Sequence, residues 1–454
     1  MGVAIPIRLN PGAEKKNNSV TGFIFAAMVV NLSDILRKIK LRWNNFRRSI
    51  QLDLNDDSDR FLDLVMVVGG IRPMQGPEPW KRICLTLYRV LGLYQFIMSL
   101  AKIKFSIQHP EELTELIASI TGTAVFTVGY VKVFTLEHYG ESVRKLKEFL
   151  RSNTVHSSDP DYDVSVRRDV SSIAAKASLI ILFILCCDQV VVWVPNTARD
   201  RILGIPKEFQ ALGSTVACLL QQAYVSSIII FWGGRYFCIT LTIMPILLGL
   251  RSELMVVARG YETIEDRVHN HVLNNTEGTS QNQLPNNGLR WKYWQQILET
   301  SVEQHVEVLK NIQLVQPIVS KVYAITYFNT MLIVSMLVCM TIRDDLSLIA
   351  IGMFLMDITI VLECYFWCQI TDSIQEIMDA IAETVAGLSS RLEHSVDNHS
   401  EYVEMRTSLM IVQLNSSRNE GLFSCGGFFP ISVESFGDLC MTIYRFATFL
   451  LNFE

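Results

Sequence analysis

The chain has 454 residues, half of them apolar, with charged residues at 19% and a formal net charge of −5. No basic tract is long enough for a nucleic-acid arm, and a charged share below the ~25% of ordinary soluble domains argues against a string of such domains. The ten cysteines are scattered, as at Cys186 and Cys187 inside an apolar run, and read as small buried residues rather than a disulfide framework.

At the N-terminus, Lys15 and Lys16 precede a short apolar run at 23–30, the order of a signal peptide. Asn31-Leu32-Ser33-Asp34 follows where a small-residue cleavage site belongs. Residues 1–54 are therefore expected to form a poorly ordered extension, neither cleaved nor inserted, within a cytoplasmic N-terminal segment 1–82.

Seven apolar blocks then occupy 83–103, 113–136, 173–194, 216–250, 318–341, 346–370 and 426–453. Runs of about 20 residues cross a ~30 Å hydrocarbon core as helices, and their continuity excludes the alternation of a membrane barrel. The expected architecture is an all-α polytopic membrane protein whose seven-helix domain spans 83–454. The fourth block would run ~52 Å as one helix. It is expected to be a single tilted helix whose end leaves the membrane past Arg251, with a break at Gly233-Gly234 as the alternative.

Basic residues fix the expected orientation. Arg37, Lys38, Lys40, Arg42, Arg47 and Arg48 precede the first block. Arg144, Lys145, Lys147, Arg151, Arg167 and Arg168 lie in the second-to-third linker. The fourth-to-fifth linker adds Arg251, Arg259, Arg267, Arg290, Lys292 and Lys310, and fewer basic residues lie opposite. The N-terminus is thus expected inside and the C-terminus outside. The sequons at Asn17, Asn31, Asn274, Asn398 and Asn415 all fall on the inner side, where they would go unused.

The inner linkers are long. Residues 274–287 are Asn/Gln/Gly/Ser-rich and read as disordered. Residues 291–313 read as a helix with Trp294, Ile297, Val302, Val306 and Leu309 on one face. Ile374, Ile377, Met378, Ile381 and Val385 extend the sixth block in the same way. Such faces pack either within the subunit or between subunits. The ionisable residues Asp188, Arg235, Asp357 and Glu363 lie inside apolar blocks. Arg235 and Glu363 fall near the inner ends of their blocks and are expected to form a structural salt bridge. No metal-spaced cluster or catalytic motif is present, so no enzyme activity and no cofactor are expected.

An inside N-terminus inverts the G-protein-coupled topology, and neither an Asp-Arg-Tyr after the third block nor an Asn-Pro-x-x-Tyr at the end is found. The stretch Gly426-Gly427-Phe428-Phe429-Pro430-Ile431-Ser432-Val433-Glu434-Ser435-Phe436, then Thr442-Ile443-Tyr444, resembles the terminal signature of the insect odorant receptors. Asp59-Arg60-Phe61-Leu62, Gly70-Ile71-Arg72-Pro73 and Trp367 fit the same family. Arg445 departs from its usual Ser. The likeness covers about 55–454.

The resemblance implies an odorant-gated, non-selective cation channel in the plasma membrane of olfactory sensory neurons. Such tuning receptors bind small apolar volatiles and join a shared co-receptor, as a heterotetramer around a central pore. A cytoplasmic anchor layer, here near 291–313 and 371–414, would carry subunit contacts, and helix 426–453 would line the pore. The family's pocket lies among spans two, three, four and six. Mapped by residue type, it is expected at Phe126 and Tyr130, at Cys186, Gln189 and Trp193, at Tyr224 and Ile228, and at Met353 and Met356. Phe126 and Tyr130 share a helix face, and the amide of Gln189 needs a hydrogen-bond partner, a ligand being one option. Trp193 could instead anchor at the interface. On the terminal helix, Tyr444, Ala447 or Thr448, and Leu451 share a face expected to border the pore. A gustatory-type channel, a G-protein-coupled receptor and a transporter are the competing readings.

Overall fold

A computed structural model describes residues 79–108, 113–194, 199, 203–205, 213–226, 228–276, 287–343, 348–392, 394, 399–417 and 422–452. The N-terminal extension, the Asp59–Leu62 and Gly70–Pro73 motifs and most of the Asn-rich linker lie outside these residues. Eleven helices carry the described fold. They are α1 (Pro79–Gln108), α2 (Leu113–His138), α3 (Gly140–Ser152), α4 (Pro160–Trp193), α5 (Ser214–Val225), α6 (Ile228–Glu262), α7 (Ile264–Thr276), α8 (Asn287–Arg343), α9 (Leu348–Arg391), α10 (His399–Ser417) and α11 (Val433–Leu451).

Six of these, α1, α2, α4, α6, α8 and α9, are long and apolar enough to cross a membrane. The nineteen-residue α11 is apolar but carries Glu434, Asp438 and Arg445. The six divide into centre and rim. In its most apolar stretch α6 is 72% buried, whereas α2 and α4 are each 28% buried. α6 packs against α4, α2, α9 and α8, so it forms the core, while rim helices keep apolar faces such as Phe134 and Phe183 outward. Outward apolar side chains are what a lipid-facing surface requires.

The fourth apolar block is not one helix. It breaks at Ser226, between α5 and α6, and Gly233-Gly234 lies within helical α6. Gly233 serves close packing instead, since any Cβ there would collide with Leu185 of α4. The inner helix at 291–313 and the fifth span are one continuous α8 of 57 residues, ~85 Å long. Its buried stripe also differs from the sequence expectation. Trp294, Leu298, Ser301, His305, Val308, Ile312 and Val315 are buried, and Val306 is exposed. Ser301 and His305 are polar, which hid the true register. The extension of α9 behaves as expected, with Ile374, Met378, Ile381 and Val385 buried.

Local chemistry sets several ends. Pro160 opens α4, capped by Asp159, whose carboxylate accepts from the Tyr162 N–H at 3.1 Å. α3 buries Val143, Leu146 and Phe149 at helical spacing and stops at Asn153, which takes the left-handed conformation. Before α11, Ser432 and Ser435 cap each other's backbone in a reciprocal box.

Candidate ligand and pore sites

The break between α5 and α6 exposes backbone groups at two helix ends, and α4 supplies their partners. Gln189 donates from Nε2 to the Val225 carbonyl at 3.2 Å and accepts the Ile229 N–H at 3.0 Å. One turn on, Trp193 Nε1 donates to the Ser226 carbonyl at 2.9 Å. A carboxamide presents one acceptor and two donors, so it can serve a helix C-terminus and the next N-terminus at once. The expected need of Gln189 for partners is therefore met by backbone.

Two other mapped residues flank this clamp. Tyr224 and Ile228 are buried on either side of the break. Gln95 of α1 donates to the Tyr224 carbonyl at 3.3 Å. Cys186 is exposed, Met356 is half-buried, and Trp193 keeps 53% of its surface exposed. The side chain of Met353 lies outside the described set.

Deeper in the bundle, Phe126 stacks on Trp232 with ring centroids 3.8 Å apart. Tyr130 meets Trp232 and Phe96 edge-on, at 5.3 and 5.6 Å. Trp232 escaped the sequence reading because an aromatic residue in an apolar run carries no distinguishing signal.

The expected Arg235–Glu363 salt bridge does not form. Glu363 of α9 instead takes Lys132 of α2 at 2.8 Å, with both side chains fully buried, and also accepts from the Thr240 hydroxyl of α6. The Lys132 ammonium sits 3.7 Å from the Tyr236 ring centroid, and Asn329 of α8 donates to the Tyr236 hydroxyl at 3.1 Å. One polar network thus joins α2, α6, α8 and α9. Lys132 was missed because a single cation within a span left the hydropathy of its block intact.

Arg235, 2% exposed, is directed toward α1 and α2. Its guanidinium lies over the rings of Tyr88, Trp232 and Tyr130, at 4.7, 4.9 and 5.1 Å. Its Nη1 is 3.5 Å from the Tyr130 hydroxyl, and its Nη2 is 3.4 Å from the Tyr88 carbonyl. Gly92 leaves the room, since a methyl there would sit on the guanidinium. An aromatic cage holds a cation by ring quadrupoles, without a carboxylate. Asp188 and Asp357 are 2% and 5% exposed, and none of their carboxylate oxygens has a hydrogen-bond partner among the described residues.

The terminal signature builds a tight hairpin that feeds α11. Cys425 N–H bonds the Phe429 carbonyl at 2.7 Å, and Phe428 N–H bonds the Cys425 carbonyl at 3.0 Å. Gly426 and Gly427 turn the chain at φ 58° and 85°, where a side chain would be strained. Burial pushes the Cys425 thiol up to about 11, so it stays protonated and unreactive. Asp372 of α9 receives the Val433 N–H at 2.7 Å, fixing where α11 starts.

α11 lays Ser435, Leu439, Ile443 and Ala447 against its neighbours, with Ser335 of α8 donating to the Ile443 carbonyl at 3.4 Å. Ala447 therefore lies on the packed face. Tyr444 is 68% exposed, Thr448 is exposed and Leu451 is half-buried. Of the alternatives Ala447 and Thr448, Thr448 shares the open side with Tyr444. At the base of α11, Tyr327, Phe429, Pro430, Glu434 and Asp438 line a cavity of ≈ 350 Å³.

No protein-family model and no curated protein matches the sequence. Solved structures do match. The chain is similar to the insect olfactory receptor OR5 from Machilis hrabei at 14% identity and a TM-score of 0.66, covering 89% of this chain and 100% of that one. The same receptor in complex with eugenol matches at 15% identity and a TM-score of 0.67, with the same coverage. This is an all-α polytopic membrane protein with the fold of the insect olfactory receptors.

Proposed function

We propose that the chain is an odorant-gated, non-selective cation channel subunit of the insect odorant receptor family, working with the shared co-receptor in a hetero-oligomer, a tetramer on the family pattern. The observation that carries this reading is the fold match over the whole length of an olfactory receptor that binds eugenol. In this reading α11 is the seventh span, the N-terminus lies inside, and the protein sits in the plasma membrane of olfactory sensory neurons. The ligand would bind among α2, α4, α5–α6 and α9, near Phe126, Tyr130, Cys186, Gln189, Trp193, Tyr224, Ile228, Met353 and Met356. Tyr444, Thr448 and Leu451 would border the pore, with Ala447 behind them.

Two features support assembly. α10 leaves Val403, Met410, Ile411 and Leu414 exposed, an apolar surface that an aqueous face would cover with a partner. α11 likewise keeps Met441, Tyr444 and Phe449 open. Gating follows from differential affinity: an odorant that binds the open arrangement better shifts the population toward it.

The test is odorant-evoked current in cells expressing the chain with and without co-receptor. Current that requires both subunits supports the reading. Current from the chain alone favours the gustatory-type channel, and extracellular labelling of an N-terminal epitope would overturn the topology.

A further inference from the structure

We infer that Asp188 is the polar anchor of the ligand site, and that the chain selects odorants carrying a hydrogen-bond donor, an alcohol, phenol or amine head on an apolar body, over acceptor-only odorants such as ethers and esters. This rests on the channel reading above and narrows its ligand class.

The position of Asp188 follows from its neighbours on α4. Leu185 lies against Gly233 of α6, and Val191 lies against Gly352 of α9. Asp188 is three residues from each, and at ~100° per residue its direction falls between those two contacts. Its carboxylate is thus directed to the junction of α4, α6 and α9. The next residue, Gln189, fixes the depth at the α5–α6 break through Ile229 and Val225.

Nothing described in the chain satisfies this carboxylate. It is 2% exposed and both of its oxygens lack a partner. The neighbouring amide of Gln189 is spent on backbone. Arg235, the nearest cation along α6, is directed away to α1 and α2, into its aromatic cage. Asp357, the other unpartnered acid, is on a different side: it lies along the line of Cys364 and Cys368, which meet Thr330 and Tyr323 of α8. A buried acid without a donor is costly in an apolar span, and a ligand donor removes that cost. A site built to hydrogen-bond an O–H or N–H rejects isosteres that lack one far more strongly than it rejects changes of apolar length.

The test uses two isosteric series on the full chain co-expressed with co-receptor: 1-heptanol, heptylamine and methyl hexyl ether, and benzyl alcohol, benzylamine and anisole. In at least one series the alcohol or amine should be more potent than the ether by about tenfold, the scale of one buried hydrogen bond. Asp188→Leu should remove most of that difference, read as the ratio of alcohol or amine potency to ether potency. If Asp188→Leu fails to reach the surface, Asp188→Asn must narrow the amine preference, because a neutral amide no longer attracts an ammonium. Equal potency across heads, an undiminished preference in the variant, or silence to every donor-bearing member overturns the inference. Ether-evoked current with silence to donors would leave the channel reading standing, whereas absence of current to any odorant panel would remove both.

Discussion

Two sets of buried charge in the bundle, each a cation and an anion, are treated in opposite ways. In one, Lys132 and Glu363 close on each other with both side chains fully buried, and Thr240, Tyr236 and Asn329 extend the network. In the other, Arg235 and Asp188 are as deeply buried but stay apart, the cation in a cage of rings and the acid without a partner among the described residues. A pair closed on itself is structural, since each charge already has its counter-charge, although Glu363 Oε2 has no hydrogen-bond partner among the described residues. An acid left open gains from any ligand that brings a donor. The separation follows from helix faces: Arg235 is directed toward α1 and α2, whereas Asp188 lies on α4 between Leu185, which meets α6, and Val191, which meets α9.

The contrast can be broken most sharply at Glu363. Glu363→Ala strands the Lys132 ammonium inside the bundle, and thermal unfolding in detergent should show a loss of about 3–5 kcal/mol. The double replacement Lys132→Met with Glu363→Leu should recover most of it. A single variant as stable as the parent would show that the pair is not closed.

Next comes the Gln189 clamp at the α5–α6 break. Gln189→Leu leaves the Val225 carbonyl and the Ile229 N–H without their side-chain partner, at about 2 kcal/mol. The same melting experiment reads it, and hydrogen exchange should rise at Ile229. Unchanged exchange there would mean that the backbone ends find other partners.

Arg235→Met should have a smaller effect, within about 1 kcal/mol, because the lost cation–ring attraction is offset by no longer burying a charge without a carboxylate. A loss as large as that of Glu363→Ala would reveal a stronger partnership and weaken the contrast. At the far end of the scale lies Arg391, whose exposed contact with Glu265 is 3.2 Å long. Arg391→Ala should leave the melting temperature unchanged, since exposed ion pairs contribute little.

The sequence was most legible where apolar run length alone decides. The positions of α1, α2, α4, α8 and α9 follow from it, as does the inward face of α9 at Ile374, Met378, Ile381 and Val385. It was less legible where a distant side chain decides. Nothing within 216–250 marks Ser226 as a break, because the groups that stabilise it, Gln189 and Trp193, come from another helix. Of the mapped ligand residues, the structure brings Gln189, Trp193, Tyr224 and Ile228 to the α5–α6 break, where Gln189 holds backbone. On α11, periodicity placed Tyr444 and Ala447 on one face, but packing against α8 divides them.

What the sequence determined by itself is that this chain is a bundle of membrane helices; the last of them was expected from residue 426 but starts at Val433, because 426–432 form the turn before it. Hydropathy over about 20 residues is a local property, so it can be read from neighbours along the chain. Only the tertiary structure decided which charges pair. Lys132 meets Glu363 and Arg235 does not, because partnership depends on which helix faces which, and residues 231 positions apart carry no mark of that in their own surroundings. The acid at Asp188 belongs to the same class of fact: among the described residues, no surrounding helix offers its carboxylate a donor.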